Sequence, residues 1–189
     1  MNKRLKAAGL VVGGLAIVLS ITVLAVSSKA RPIETADTVV RIQIDRDFAG
    51  SAKELVADSD TVVMGQLLDH STVHSVSSDG YITHLAQDFQ VEEVLTGDVA
   101  IDAVLPLLVS IRSSDKAPVV EGDAAPLEAG ARYVLFLRAE NGIYASTGGP
   151  QGQFLMADGR LVPATMSLPA VASFSNLTIE EIRELLDTF

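Results

Sequence analysis

The chain has 189 residues, with 14 lysines and arginines against 24 aspartates and glutamates, a formal charge of −10, and no cysteine. The missing thiols exclude disulfide staples, thiolate zinc sites, iron–sulfur clusters and cysteine nucleophiles. The acidic balance disfavours nucleic acid and anionic headgroups, which are recruited chiefly by basic patches.

Residues 7–28 are uncharged and mostly apolar and follow the basic cluster Lys3, Arg4 and Lys6. At about 1.5 Å per residue this stretch crosses a hydrocarbon core of roughly 30 Å, whereas the apolar part of a cleavable signal runs only about 7 to 15 residues. The expectation is a signal-anchor or transmembrane segment over residues 1–30, a linker over 31–37 and one extracytoplasmic domain over 38–189. Three cations before the span and two after it, Lys29 and Arg31, place the N-terminus in the cytoplasm and the domain outside. The alternative is a secreted domain, because Ser28 and Ala30 supply small residues around a cleavage point. Beyond residue 30 the chain carries 10 basic and 24 acidic residues. Some 155 residues suffice for one core without covalent staples.

Residues 38–46 alternate Val40, Ile42 and Ile44 with Arg41, Gln43 and Asp45, the period of a half-buried strand. Ser51, three residues before Glu54, has capping-box spacing for a short helix ending near Ala57. A long hairpin is expected from residues 62–76 and 81–95 about a Ser78-Asp79-Gly80 turn. Within it Val63, Leu67, Val73, Leu85, Phe89 and Val91 share one face by the two-residue period. Residues 101–112 read as a strand interrupted or bulged at Pro106, and residues 113–130 as the longest loop. Residues 133–137 are five apolar positions, which suits a strand covered on both faces. Asn141-Gly142 and Asp158-Gly159 mark two tight hairpins. The chain closes with a helix from Ile179 to about Asp187, with a Thr178/Glu181 capping box and a Leu177/Ile182 hydrophobic staple. Sequential short strands with tight turns and two small helices point to a mainly β fold, a small antiparallel β-barrel, closed or half-closed.

Residues 60–65 (DTVVMG), 89–98 (FQVEEVLTGD), 130–137 (GARYVLFL) and 148–154 (GGPQGQF) together resemble a group of exported bacterial proteins of uncharacterised function. Their order is also similar to netrin-like modules, the oligonucleotide/oligosaccharide-type (OB) barrel found in tissue inhibitors of metalloproteinases. That resemblance implies a barrel and no activity. The inhibitors place an N-terminal cysteine on the protease zinc, and this chain has none.

All three histidines fall in the long hairpin. If Ser77 faces Tyr81, His74 lies opposite His84 and His70 opposite Asp88, with opposed Cβ atoms about 5 Å apart. Imidazoles and a carboxylate so placed can hold Zn²⁺, Cu²⁺ or Ni²⁺. The competing reading is a solvated polar face shared with Thr72, Gln90 and Glu92. Asp45 with Asp47, and Asp58 with Asp60, have calcium-loop spacing without the rest of the pattern. The glycine-rich segment at residues 148–152 reads as a tight strand connection, since no helix follows to hold a phosphate. Glu92 and Glu93 project to opposite faces and cannot act as an acid–base pair. No GxSxG or HExxH motif is present. The expected function is an envelope binding or interaction module without chemistry of its own. The alternatives are a divalent-metal domain using His70, His74, His84 and Asp88 and, behind both, a hydrolase with a scattered site.

Overall fold

The computed structural model describes residues 39–42 and 48–189. The expected membrane span, the linker, most of the first strand and the Asp45/Asp47 pair lie outside them. Among the described residues no helix is long and apolar enough to cross a membrane.

The elements run β1 (Val40–Ile42), α1 (Ala52–Ala57), β2 (Thr61–Val76), β3 (Ile82–Thr96), β4 (Val104–Arg112), β5 (Val119–Glu121), β6 (Arg132–Glu140), β7 (Ile143–Ser146), β8 (Gln153–Ala157), β9 (Arg160–Pro163) and α2 (Ile179–Leu186), with 3-10 turns at Gly149–Gly152 and Pro169–Ser173. Seven strands form one sheet in the order β2-β3-β4-β7-β6-β8-β9, and β2 also pairs with β6. All its pairs are antiparallel except β4 with β7. β1 and β5 form a separate parallel pair.

Local chemistry accounts for the turns and caps. Asn141 and Gly142 have φ of 52° and 82°, and Asp158 and Gly159 have 50° and 75°. These are the left-handed values that a two-residue hairpin turn requires and that Asn, Asp and Gly tolerate. Thr178 accepts from the Glu181 amide while Glu181 accepts from the Thr178 amide, closing the capping box of α2. α1 uses a variant of it. Ser51 accepts from the Glu54 amide, but the Glu54 carboxylate reaches back to the amide of Gly50, one residue further out.

β6 explains why residues 133–137 are apolar without alternation. Tyr133, Leu135 and Leu137 enter a core with Val63, Leu67, Phe89, Val91, Leu105 and Leu107. Val134 and Phe136 enter a second core on the other face, beneath α1, α2 and the Pro169–Ser173 turn. There Phe136, Phe154 and Phe174 form a tilted triad with centroids 4.8 to 5.6 Å apart, the offset geometry that ring quadrupoles favour. Glu92 pairs with Arg132 of β6 and Glu93 with Arg183 of α2. Glu92 is the extra residue of a bulge between the Gly65–Val91 and Met64–Glu93 pairs, so the two acids do not take the opposite faces that strict alternation gives, and both reach partners on the side of Val134, Phe136 and α2.

Four further expectations are corrected. The fourth strand begins at Val104, since Ile101 is exposed and Asp102 adopts a left-handed turn conformation (φ 64°). It also runs through Pro106 with its register to β3 unbroken. The Arg112 amide bonds to Ala117 on the edge away from β3, and antiparallel alternation puts the Pro106 nitrogen on that same edge, so the missing N–H costs no rung to β3. The segment at residues 113–130 is not all loop, because it contains β5. Finally, Val73 is 67% exposed and Leu85 only half-buried. Register shifts at residues 67–71 and 73–75 end the shared face, and the outer part of the hairpin carries its apolar residues into solvent.

Candidate functional site

The hairpin constellation divides in two. His70 Nδ1 meets Asp88 Oδ2 at 2.7 Å, on the expected cross-strand neighbours. His74 does not oppose His84. A bulge at residues 73–75 inserts His74 as the extra residue, and Ser75 takes its place opposite His84. His84 bonds instead through Nδ1 to Ser110 Oγ of β4, 3.0 Å away. Among the described residues no group of three or more His, Asp or Glu side chains is gathered so as to hold a metal ion. Asp58 caps α1 and Asp60 accepts from the Ala139 amide at 2.8 Å, both structural duties.

The His84–Ser110 pair borders a groove that periodicity gave no sign of. β4 and β7 meet at one pair, Leu107 with Tyr144, and no further β4–β7 pair follows among the described residues. Beyond it lies a groove of about 320 Å³, walled by residues 108–111 of β4, by β5 and residues 124–127, by Ala145 and Ser146 of β7, and by Gly149 and Pro150. That size is within the range of small-ligand sites.

The outer wall is fixed by polar ties. Arg41 of β1 donates to the carbonyls of Gly122 and Ala124 at 2.9 and 3.0 Å. Asp123 accepts from Thr165 Oγ1 at 2.6 Å and Ser167 Oγ at 3.1 Å, and these hydroxyls, Thr165 first, hold its carboxyl below the usual aspartate range. The Ala125 amide bonds to the Ala164 carbonyl. β5 is the element whose omission hid this wall. Val119 and Val120 beside Pro118 were a short β-branched signal inside a segment otherwise dominated by proline and acids.

The glycine-rich connection supplies the floor. A Cβ on Gly152 would meet the carbonyl oxygens of Thr147 and Phe136 at 2.6 and 2.9 Å, so the backbone there approaches its own sheet, as a tight connection does. Within it Gln151 is wholly buried and grips Ala49 from both sides, its Oε1 accepting from the amide at 3.0 Å and its Nε2 donating to the carbonyl at 2.7 Å. No protein-family model matches the chain, and no curated protein matches it either.

Proposed function

We propose that this chain is a membrane-anchored extracytoplasmic binding module of the OB type, with no chemistry of its own, whose ligand site is the β4–β7 groove. The barrel reading is supported by the pairing circuit. β2 pairs with β3, β3 with β4, β4 in parallel with β7, β7 with β6, and β6 back with β2. Nine buried side chains, from Val63 to Leu137, form the core that this circuit surrounds. The likeness of the quoted motifs to exported bacterial proteins and netrin-like barrels agrees with it. Anchoring rests on residues 7–28 behind their basic cluster, and release after cleavage near Ala30 would leave the domain in the same compartment. Membrane contact runs through that segment, and the partner is an envelope protein or ligand rather than nucleic acid.

The observation that carries the reading is the position of the groove. It opens at the one place where the circuit closes through a single residue pair, so strand edge and side chains are presented together there. The test fills it. Full-length protein bearing Ala145→Phe should lose species that wild type captures from envelope extracts, while Val162→Thr, at an exposed β9 position, should keep them. Equal capture by both variants would refute the groove as the binding surface.

A second reading is supported by the 2.7 Å contact of His70 with Asp88. It is a divalent-metal site in the hairpin, to which His74 and His84 would have to be drawn by local rearrangement. Equilibrium dialysis at pH 7.5 decides it. Stoichiometric Zn²⁺ or Ni²⁺ at low micromolar concentration, lost in His70→Ala, is the positive outcome.

A further inference from the structure

We propose that the outer end of the β2–β3 hairpin rests on the lipid surface of the membrane that anchors the chain, a contact that depends on the anchoring reading and is separate from the groove. Val73 pairs with Leu85 and Val76 with Thr83, and cross-strand partners project from one face. The Tyr81 carbonyl accepts from the Ser113 amide, so Tyr81 continues the ladder to β4 and shares that face with Thr83 and Leu85 by the two-residue period. The bulge at His74 keeps Val76 on the side of Val73. One face of the outer hairpin therefore carries Val73, Val76 and Tyr81, which are 67%, 53% and 47% exposed.

Strand direction decides what meets this face. Thr83 lies opposite Ile111, Ile111 bridges to Pro118, and the Pro118 carbonyl accepts from the Val40 amide. With Val76 they form one row across the strands, about 20 Å wide at roughly 4.8 Å per strand. β4 runs toward the hairpin turn, reaching Arg112 opposite Ile82. β5 is antiparallel to β4 at the bridge and β1 is parallel to β5, so both lead away from the turn. The chain thus enters β1 from the turn end of the sheet. Residues 29–39 separate the apolar stretch from Val40, and at no more than about 3.6 Å each they reach roughly 40 Å. The tether therefore holds the hairpin turn, not the opposite end of the sheet, near the bilayer.

Charge and composition fit a bilayer surface. Residues 71–82 hold one formal charge, Asp79, in a chain at −10, so this end lacks the acidic excess that anionic headgroups repel. Asp79 accepts from the Ser77 hydroxyl at 2.5 Å and from the Tyr81 amide at 3.0 Å, which leaves its carboxylate bonded within the turn at headgroup depth. Tyrosine favours the membrane–water interface, where its ring is covered and its hydroxyl stays wet. Three side chains bind lipid weakly on their own, but tethering to the same bilayer makes the contact intramolecular, and a weak contact then suffices.

The chain has no cysteine, so a single one can carry a label. Full-length protein at one copy per phosphatidylcholine nanodisc is labelled with an environment-sensitive fluorophore at Val76→Cys or, as control, at Ile101→Cys. Ile101 is exposed to a similar degree but follows β3, which leads away from the turn. Brominated acyl chains should quench most of the emission at Val76 and none at Ile101. Adding Val73→Asp and Tyr81→Asp, both at exposed positions where the fold is not at stake, should restore the Val76 emission. Equal quenching at the two positions, or none at Val76, overturns the lipid contact, while anchoring stands if the protein stays with the discs. Protein that does not stay with the discs ends both readings. A Val76 label shielded from aqueous iodide but not quenched by lipid, and only at two copies per disc, makes a second copy of the chain the occupant and also overturns the proposal.

Discussion

Replacing Gln151 by leucine tests how a segment without strand pairing is held to the sheet. The side chain is fully buried, and its two bonds to Ala49 do what a strand partner would, satisfying one amide and one carbonyl. Leucine keeps nearly the same volume and supplies neither bond. An orphaned buried backbone group costs about 1–3 kcal/mol. Ala49 is half-buried, so water recovers part of that, and the two groups together should cost about 2 kcal/mol. With a urea dependence of about 1–3 kcal/mol per molar, the midpoint should fall by about 1 M. The chain has no tryptophan, so far-ultraviolet circular dichroism is the readout. Gln151→Ala should fall further because it adds a cavity. Gln151→Glu adds a sign. Burial raises the folded-state pKa of the new carboxyl above its unfolded value, so this variant should regain stability as pH falls and lose it as pH rises from the unfolded glutamate value of about 4.3 to the raised folded one. A leucine variant with the wild-type midpoint would refute the claim that the tie to Ala49 stabilises the fold.

Two glycines should separate sterics from conformational cost. A Cβ on Gly65 runs into the backbone of Gln90, whereas one on Gly159 meets nothing but is strained at φ 75°. Gly159→Ala should therefore cost about 1 kcal/mol, and Gly65→Ala several times more, read as midpoint shifts in urea. Phe174→Ala, which removes the ring joining Phe136 and Phe154, should cost about 3–5 kcal/mol. Thr178→Ala should cost about 1 kcal/mol through loss of the N-cap. The Thr178 amide, and then its hydroxyl, lower the Glu181 pKa below the ordinary 4.5. Its contribution is therefore present at neutral pH and is lost as pH falls through the depressed value. Denaturation midpoints between pH 6 and 3 should show a weaker acid dependence in Glu181→Gln.

The legible parts of the fold were those written in a few adjacent residues. Asn141-Gly142 and Asp158-Gly159 declare their turns because left-handed φ restricts the residues that fit. Thr178 and Glu181 declare a helix start because two side chains satisfy two orphan amides within one turn. Residues 133–137 show a buried strand because both faces of β6 are covered. The hairpin's length follows from a turn and a period, but its turn sits one residue off the expected register, with Ser77 facing Ile82 rather than Tyr81, and it is the bulge at His74 that returns His70 to Asp88.

What escaped was set by partners distant in sequence. Val73 has the right parity for the core, but parity holds only while register does, and the insertions at residues 67–71 and 73–75 reset it. A bulge has no residue signature comparable to Asn-Gly, since almost any side chain can be the extra one, here His74. The metal constellation depended on one uniform register across the hairpin, and so it separated at the same point that Val73 left the core. The groove was hidden for a related reason. It exists because two strands 37 residues apart at Leu107 and Tyr144 touch once and then diverge, and because Val119 and Val120 pair with β1 to make its outer wall. A three-residue strand gains its stability from the pairing itself, not from periodicity that a window could detect. The same reasoning locates the most informative place to perturb. Substitutions at His70 and His84 act on side chains already satisfied locally by Asp88 and Ser110, whereas a change at Ala145 acts on the seam where strand edge, wall and floor meet.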